Sequence, residues 1–412
     1  MTHDWKSRSD WVVVLAGVSA ALHVGKLAPS LPLLQRELGM TLLQAGFLLS
    51  LVQVAGMALG LVAGLAANSI GLRRCVLGGL LVLAFASVAG GVSTGVGTLL
   101  GWRAVEGVGF LLVCMPAPAL LRRLVPPAHQ AQVLGLWGAY MPLGTALALL
   151  CGPWVVQWVG WRSWWWILGA ISLLLFAWVW RVVPHDPDGW HWPGHYSQQQ
   201  RAESLPMPGW TRRLQVTLTS RGPWLVALVF AVYSGQWLAV IGFLPYVLAD
   251  RAVAGAALSL PLALVAGVNI VGNIAAGRAL ARGVAPQHLL FVGFCAMALG
   301  AAVAFAELNE AQTAGLGLGW RFAGVLVFSM FGGLIPATLF SLAVLVAPDE
   351  SSVSTTVGWM QQLSAFGQFV GPPLVAWVAA GAGSWRWTWC VTGAACLVGL
   401  LLARLLGRGV RP

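Results

Sequence analysis

Charge is what this chain most lacks. Only 8% of its 412 residues are Asp, Glu, Lys or Arg, where a soluble globular domain has about 25%. With 58% of residues hydrophobic, the chain cannot clothe an ordinary wet surface, and a polytopic membrane protein is implied. Acids are scarcest, 12 Asp and Glu against 23 Lys and Arg, for a formal net charge of +11. No stretch is long and polar enough to gather those bases on one soluble face, which argues against nucleic-acid binding. The cysteines Cys75, Cys114, Cys151, Cys295, Cys390 and Cys396 form no C-x-x-C pair and read as small buried hydrophobes rather than disulfides or metal ligands. There is no phosphate-binding loop to support ATP-driven transport, no Asn-x-Ser/Thr acceptor, and nothing that calls for a cofactor.

What is present is apolar length. Runs able to cross about 30 Å as helix fall near 11–34, 42–67, 75–95, 98–121, 131–155 and 163–183. They resume near 222–248, 257–281, 287–306, 320–346, 353–379 and 386–406. The first run holds His23 and Lys26 and continues to Leu34, which suits a retained span better than a cleaved leader. With the N-terminus inside, inner loops hold sixteen Lys and Arg and outer loops four, so both termini are expected to be cytoplasmic. Residues 184–221 form the long hydrophilic connection, read as a cytoplasmic linker between bundles 1–183 and 222–412. Its His185, His191 and His195 lack Cys or patterned carboxylate neighbours and read as solvated, not as a metal site.

The two halves repeat each other. Leu31-Pro32 matches Leu244-Pro245 at an offset of 213 residues, and Gly101-Trp102-Arg103 matches Gly319-Trp320-Arg321 at 218. Gly152-Pro153 matches Gly371-Pro372 at 219, so the halves are parallel structural copies. The expected fold is all-α, with twelve transmembrane helices in two six-helix bundles. Polar groups in hydrocarbon must be satisfied or wet. They concentrate in the first two members of each three-span group, while the third, sixth, ninth and twelfth spans carry no internal charge, amide or histidine. The first member of each group should therefore line a central cavity and the last should touch lipid. Trp164, Trp165, Trp166, Trp385, Trp387 and Trp389 cluster at expected interfaces and read as membrane anchors.

The stretch Gly64 to Arg74 resembles the cytoplasmic gate motif of the major facilitator superfamily of secondary transporters. It keeps Gly64, Gly71, Arg73 and Arg74, but has Asn68 where the family usually has aspartate. Arg103 with Gly107 resembles the family's fourth-span motif, and Gly144, Gly152 and Pro153 its fifth-span glycine-proline motif. The resemblance covers the whole chain. It implies alternating access around a midplane site, embedding in an inner or plasma membrane, and a monomer exchanging a small-molecule substrate.

Candidate site residues follow from buried polarity. Lys26, Arg103 and Arg321 are cationic, against the single acid Glu106, and would leave the cavity net positive by about +2. That points to a small organic or inorganic anion moved with protons, with Glu106 and His23 as proton-coupling groups. Tyr233 and Gln236 share one helical face, Gln236 standing at the repeat position of His23. Trp359, Gln361 and Gln362 could stack on and hydrogen-bond a substrate, while Asn269 and Asn273 read as interhelical glue. The alternative is proton-driven efflux of drugs or metabolites. A channel fits the repeat with buried charges less well than a carrier. Gly91-Val92-Ser93-Thr94-Gly95 matches a hydrolase nucleophile pattern, a remote alternative that needs a strand-to-helix elbow and a histidine.

Overall fold

A chain so poor in charge must satisfy its backbone within its own helices. The computed structural model describes residues 9–186, 210–249, 257, 259–306, 318–349 and 352–409, excluding the side chains of 63–69, 127–128, 131–132, 135, 246–249, 318 and 408–409. All regular elements among them are helical. Eleven helices are long and apolar enough to span a membrane. One of these, Tyr140–Val182, has 43 residues, about twice the length a bilayer needs. It is broken at Gly160 (φ 81°, ψ 166°), a backbone conformation that only glycine adopts without strain. The break separates a fifth span from a sixth, giving twelve among the described residues. Trp210–Thr219 is a separate short helix within the connection between halves.

The halves pack alike. The first span lies on the fifth as the seventh lies on the eleventh; the third holds the fourth and sixth as the ninth holds the tenth and twelfth. The most apolar windows of the first and seventh spans are 83% and 89% buried, that of the twelfth 28%. This ordering matches the polarity of the sequence, because only the least polar helices can be left facing hydrocarbon. A Cβ on Gly367 would strike the Ala231 carbonyl, and one on Gly144 would strike the Val18 carbonyl. Backbones thus touch where the seventh and eleventh spans cross, and again where the first and fifth do.

Between the halves, the second span meets the eleventh and the fifth meets the eighth. Gly56 and Gly60 face Ala365 and Gln362, with room for little more than hydrogen. At one end Leu31, Leu34, Leu48 and Leu49 form a continuous core with Ala239, Phe243, Val375 and Ala376. At the other end the halves stand apart around a cavity.

Two expectations need correction. Cys151 and Cys295 are exposed, not buried; on spans five and nine they face outward, where a thiol is tolerated as a small hydrophobe. Trp164 and Trp165 are core residues, 3% and 2% exposed, because the turn at Gly160 directs them into the sealed end. Trp166 and Trp387 are exposed.

Gly367→Val should overpack the seventh–eleventh crossing and cost about 1–3 kcal/mol. Gly381→Val, on the same helix with open space at its Cβ, should leave the thermal midpoint in detergent unchanged.

Candidate functional site

The ionised groups of the first half converge on one carboxylate. Glu106 Oε2 accepts from Arg103 Nη1 at 2.7 Å, and Oε1 accepts from Lys26 Nζ and lies 3.5 Å from His23 Nδ1. Spacings of three residues put Arg103 and Glu106 on one face of the fourth span and His23 and Lys26 on one side of the first. Lys26 stands where helix Ser9–Gly25 gives way to a 3-10 turn at Ala28–Ser30, since Pro29 cannot supply the next amide. Its ammonium also donates to Ser87 Oγ at 2.9 Å and sits 4.5 Å from the centre of a Trp165 ring. Arg103 donates to the Leu48 and His23 carbonyls at 3.1 and 2.6 Å. His23 Nε2 pairs with Ser172 Oγ at 2.9 Å, and Ser172 with Ser19 at 3.2 Å. None of His23, Lys26, Arg103 or Glu106 is more than 2% exposed.

The cavity lies elsewhere. It has a volume of about 1840 Å³ and lies between the halves, toward the end that carries Asp10, Arg122 and Arg213. Trp11, Trp137, Tyr140, Phe230, Trp237 and Phe340 supply its aromatic walls, with Trp137 and Tyr140 stacked at 4.4 Å. The sixth, ninth and twelfth spans contribute no lining residue. The second half adds a polar strip: Asn269 Nδ2 donates to Tyr233 Oη at 3.0 Å and to the Ser329 carbonyl at 2.8 Å. Asn273 Nδ2 donates to Asn269 Oδ1 at 3.0 Å. Both asparagines line the cavity while bonding between helices.

Of the eight residues expected to bind substrate, Tyr233 and Gln361 line this cavity. Lys26 and Arg103 do not; both close around the Glu106 carboxylate instead. Gln362 Oε1 accepts the Leu61 amide across the halves at 2.9 Å. Gln236 is buried and accepts from Cys396 Sγ at 3.4 Å. Trp359 packs edge-on against Trp224 at 4.8 Å. Arg321 is half-buried in the first turns of helix Leu318–Gly332, away from the cavity lining, so it does not repeat the setting of Arg103. Gly324 stands at the position of Glu106, and a Cβ there would lie 2.7 Å from the Gly300 carbonyl. The ninth span's backbone fills the place a carboxylate would need.

In the gate stretch, Gly71 (φ 106°) caps the third span, and Asp186 takes the amides of Arg73 and Arg74 at 3.2 and 3.1 Å. Arg123 pairs with Asp186 at 3.1 Å, and Arg73 Nη2 donates to the Trp180 carbonyl at 2.7 Å. The surroundings of Gly64 and the side chain of Asn68 lie outside the described residues, as do His191 and His195. Ser93 follows the third span in a turn between helices, and the described residues contain no strand to form a nucleophile elbow. No group of three His, Cys, Asp or Glu among the described residues could hold a metal.

Sequence reasoning missed Ser87, Ser172 and Trp165 as partners of the cluster. A serine in an otherwise apolar span was the available signal, since a hydroxyl in hydrocarbon also needs a partner. Glu106→Gln would leave two buried cations without their anion and should destabilise by about 3–5 kcal/mol. Adding Lys26→Met should restore part of that loss, so the double-mutant cycle read by thermal unfolding should be non-additive.

Comparison with known proteins agrees with this fold. The model of the Major Facilitator Superfamily matches residues 13–363. A puromycin resistance protein of Streptomyces alboniger is 31% identical over 222 residues, which cover 53% of this chain and 40% of that protein. A chloramphenicol resistance protein of Pseudomonas aeruginosa is 24% identical over 296 residues, covering 71% and 67%. The chain spans well under two thirds of the first curated relatives it matches, 24% of an uncharacterised transporter of Mycobacterium tuberculosis and 40% of the puromycin resistance protein. A bacterial homologue of the human lysosomal transporter Spinster, solved inward-facing and unoccupied, superposes with a TM-score of 0.79 at 15% identity. That match covers 99% of this chain and 98% of the other and speaks to the fold alone. With its twelve spans, its paired halves and a family match over most of its length, the chain is a multi-pass membrane protein and belongs to the Major Facilitator Superfamily.

Proposed function

We propose that this protein exports amphipathic, ring-bearing solutes of drug size in exchange for protons. The observation that carries the reading is the cavity: at about 1840 Å³ it exceeds the roughly 300–1,000 Å³ of most small-molecule sites, and its walls are mostly aromatic and aliphatic. Such a wall selects by area and ring stacking more than by fixed hydrogen bonds, which suits bulky apolar bodies. The relatives named for resistance to puromycin and chloramphenicol support the same substrate size. Basic residues gather at the cavity mouth and in the loops on its side, so by the positive-inside bias that end and both termini face the cytoplasm of an inner or plasma membrane. A site open to the cytoplasm loads from within.

The expectation of a small anion rested on Lys26, Arg103 and Arg321 facing the cavity. With Lys26 and Arg103 closed around Glu106 and Arg321 away from the cavity lining, that ground is removed. Arg122 and Arg213 at the mouth leave a small anion as the second reading. Proton exchange is assigned to the Glu106 cluster: Arg103 stays charged in any protein setting, which leaves Glu106, Lys26 and His23 to exchange the proton. A monomer suffices, since both halves of the site come from one chain.

Proteoliposomes holding the full chain should accumulate a ring-bearing solute when an outward proton gradient is imposed. Trp137→Ala should weaken its apparent affinity roughly tenfold, about 1.4 kcal/mol. Glu106→Gln combined with the stabilising Lys26→Met should remove the gradient dependence and spare downhill movement. Transport of small inorganic or carboxylate anions with no movement of ring-bearing solutes would overturn the reading in favour of the second.

A further inference from the structure

One hydroxyl proton on the cavity wall has no acceptor among the described residues. Tyr233, on the seventh span, lines the cavity and is 5% exposed. Its Oη accepts from Asn269 Nδ2 at 3.0 Å. Neighbouring bonds fix that direction. The same Nδ2 faces the Ser329 carbonyl at 2.8 Å, and a carbonyl can only accept. Asn269 Oδ1 in turn accepts from Asn273 Nδ2 at 3.0 Å, whose other contact is the Asn269 main-chain carbonyl at 3.1 Å. Main-chain carbonyls thus set both amide orientations. The Tyr233 oxygen must receive, which leaves its own proton to be given elsewhere.

Tying the seventh, eighth and tenth spans together accounts for the two amides but not for this proton. A buried phenol ordinarily finds a partner for its O–H, and one left unmatched is destabilising. Three other cavity-lining groups are already committed. Trp237 Nε1 donates to Ser329 Oγ at 3.2 Å, Ser234 Oγ to the Ser364 carbonyl at 3.0 Å, and Gln368 Nε2 to Ser364 Oγ at 3.2 Å. The bonds from Asn273 to Asn269 to Tyr233 all run one way, which polarises the last hydroxyl and strengthens it as a donor. Beside it the wall is aromatic. The Phe230 ring lies 6.3 Å from that of Tyr233 with 9° between planes, and meets Phe340 edge-on at 5.9 Å. Both phenylalanines line the cavity, so a ring body resting on them stands next to the hydroxyl.

We infer that Tyr233 is a specificity-determining donor for an uncharged carbonyl oxygen, and that the preferred solutes are ring systems bearing a ketone, amide or ester. This assignment rests on the export reading above and names its substrate class. A carbonyl oxygen takes the Tyr233 proton and completes the series; a solute without one leaves the donor unpaired. The bases Arg122 and Arg213 stand at the cavity mouth and no charge takes part in the series, so a neutral oxygen is matched here and a carboxylate is not. Asn269 is the positioning residue: by donating to Tyr233 from one side it turns the O–H to the other.

The test is equilibrium dialysis against the full chain in lipid nanodiscs, with binding to empty nanodiscs subtracted. The probes are 9-fluorenone and fluorene, the same three rings with a methylene in place of the carbonyl. Fluorenone should bind the unaltered chain more tightly. Tyr233→Phe should weaken fluorenone roughly tenfold, about 1.4 kcal/mol, and leave fluorene within about twofold, which also reports that the variant is folded. Asn269→Asp, which sets an acceptor where Tyr233 now meets a donor, should lower the fluorenone-to-fluorene affinity ratio by a similar factor with the hydroxyl still present. An unchanged ratio there would overturn the role given to Asn269. Equal losses for both probes in Tyr233→Phe, no loss for fluorenone, or fluorene binding the unaltered chain at least as tightly would overturn the assignment while the export reading stands. If the unaltered chain binds neither compound, the export reading fails and this assignment falls with it.

Discussion

The Glu106 carboxylate, held between Lys26 and Arg103, is the interaction on which the first half depends. Ion desolvation is costly enough that two cations and a histidine remain at this depth only because one anion and several hydroxyl and carbonyl groups meet them. Through those contacts the cluster joins five spans: Arg103 and Glu106 on the fourth, His23 and Lys26 on the first, the Leu48 carbonyl of the second, Ser87 of the third, and Ser172 with Trp165 on the sixth. The second half has no equivalent among the described residues. There Gln236 and Gly324 occupy the matching positions, and cohesion comes from an apolar core and from backbone contact at Gly235, Gly367 and Gly371. Two copies of one architecture are held together by different physics.

That difference separates charge from open space. The cluster sits in the interior of one half, whereas the cavity lies between halves and draws on both. The first span belongs to each: Asp10, Trp11 and Val14 line the cavity, and His23 and Lys26 close the cluster farther along. Movement of this helix against the seventh and eleventh spans is resisted at the sealed end by Leu31, Leu34, Phe243 and Val375, a dry contact without polar bonds that hold one register. Across the middle, Gln53 donates to Gln368 and the Leu61 amide to Gln362, each at 2.9 Å, two exchangeable hydrogen bonds between halves.

Much of the fold was legible because hydrocarbon imposes few solutions. Apolar length, the six-and-six arrangement, the repeat offsets and the lipid-facing twelfth span all follow from backbone satisfaction and polarity. The direction in which a buried polar side chain points was not legible. Helical spacing tells a lysine to avoid lipid; it does not distinguish a wet cavity from an ion cluster, and Lys26 and Arg103 went to the cluster. The neighbours Gln361 and Gln362 make the same point, one on the cavity wall and one bonded to the Leu61 amide. Trp164 and Trp165 carry the composition of an interface belt, but the Gly160 turn sends them inward. Asp10 escaped notice because it stands at the edge of its apolar run, where an acid is ordinarily solvated.

The turn at Gly160 has a mechanical consequence. Spans five and six are joined through one residue in an extended, positive-φ conformation, with no loop between them. A loop absorbs tilt; a single residue has only two dihedrals with which to do so. The fifth span borders the cavity and touches the eighth across the halves, while the sixth carries Ser172 and Trp165 against His23 and Lys26. Leverage applied to one helix therefore meets the other directly, and any change of angle between them falls on the two dihedrals of Gly160.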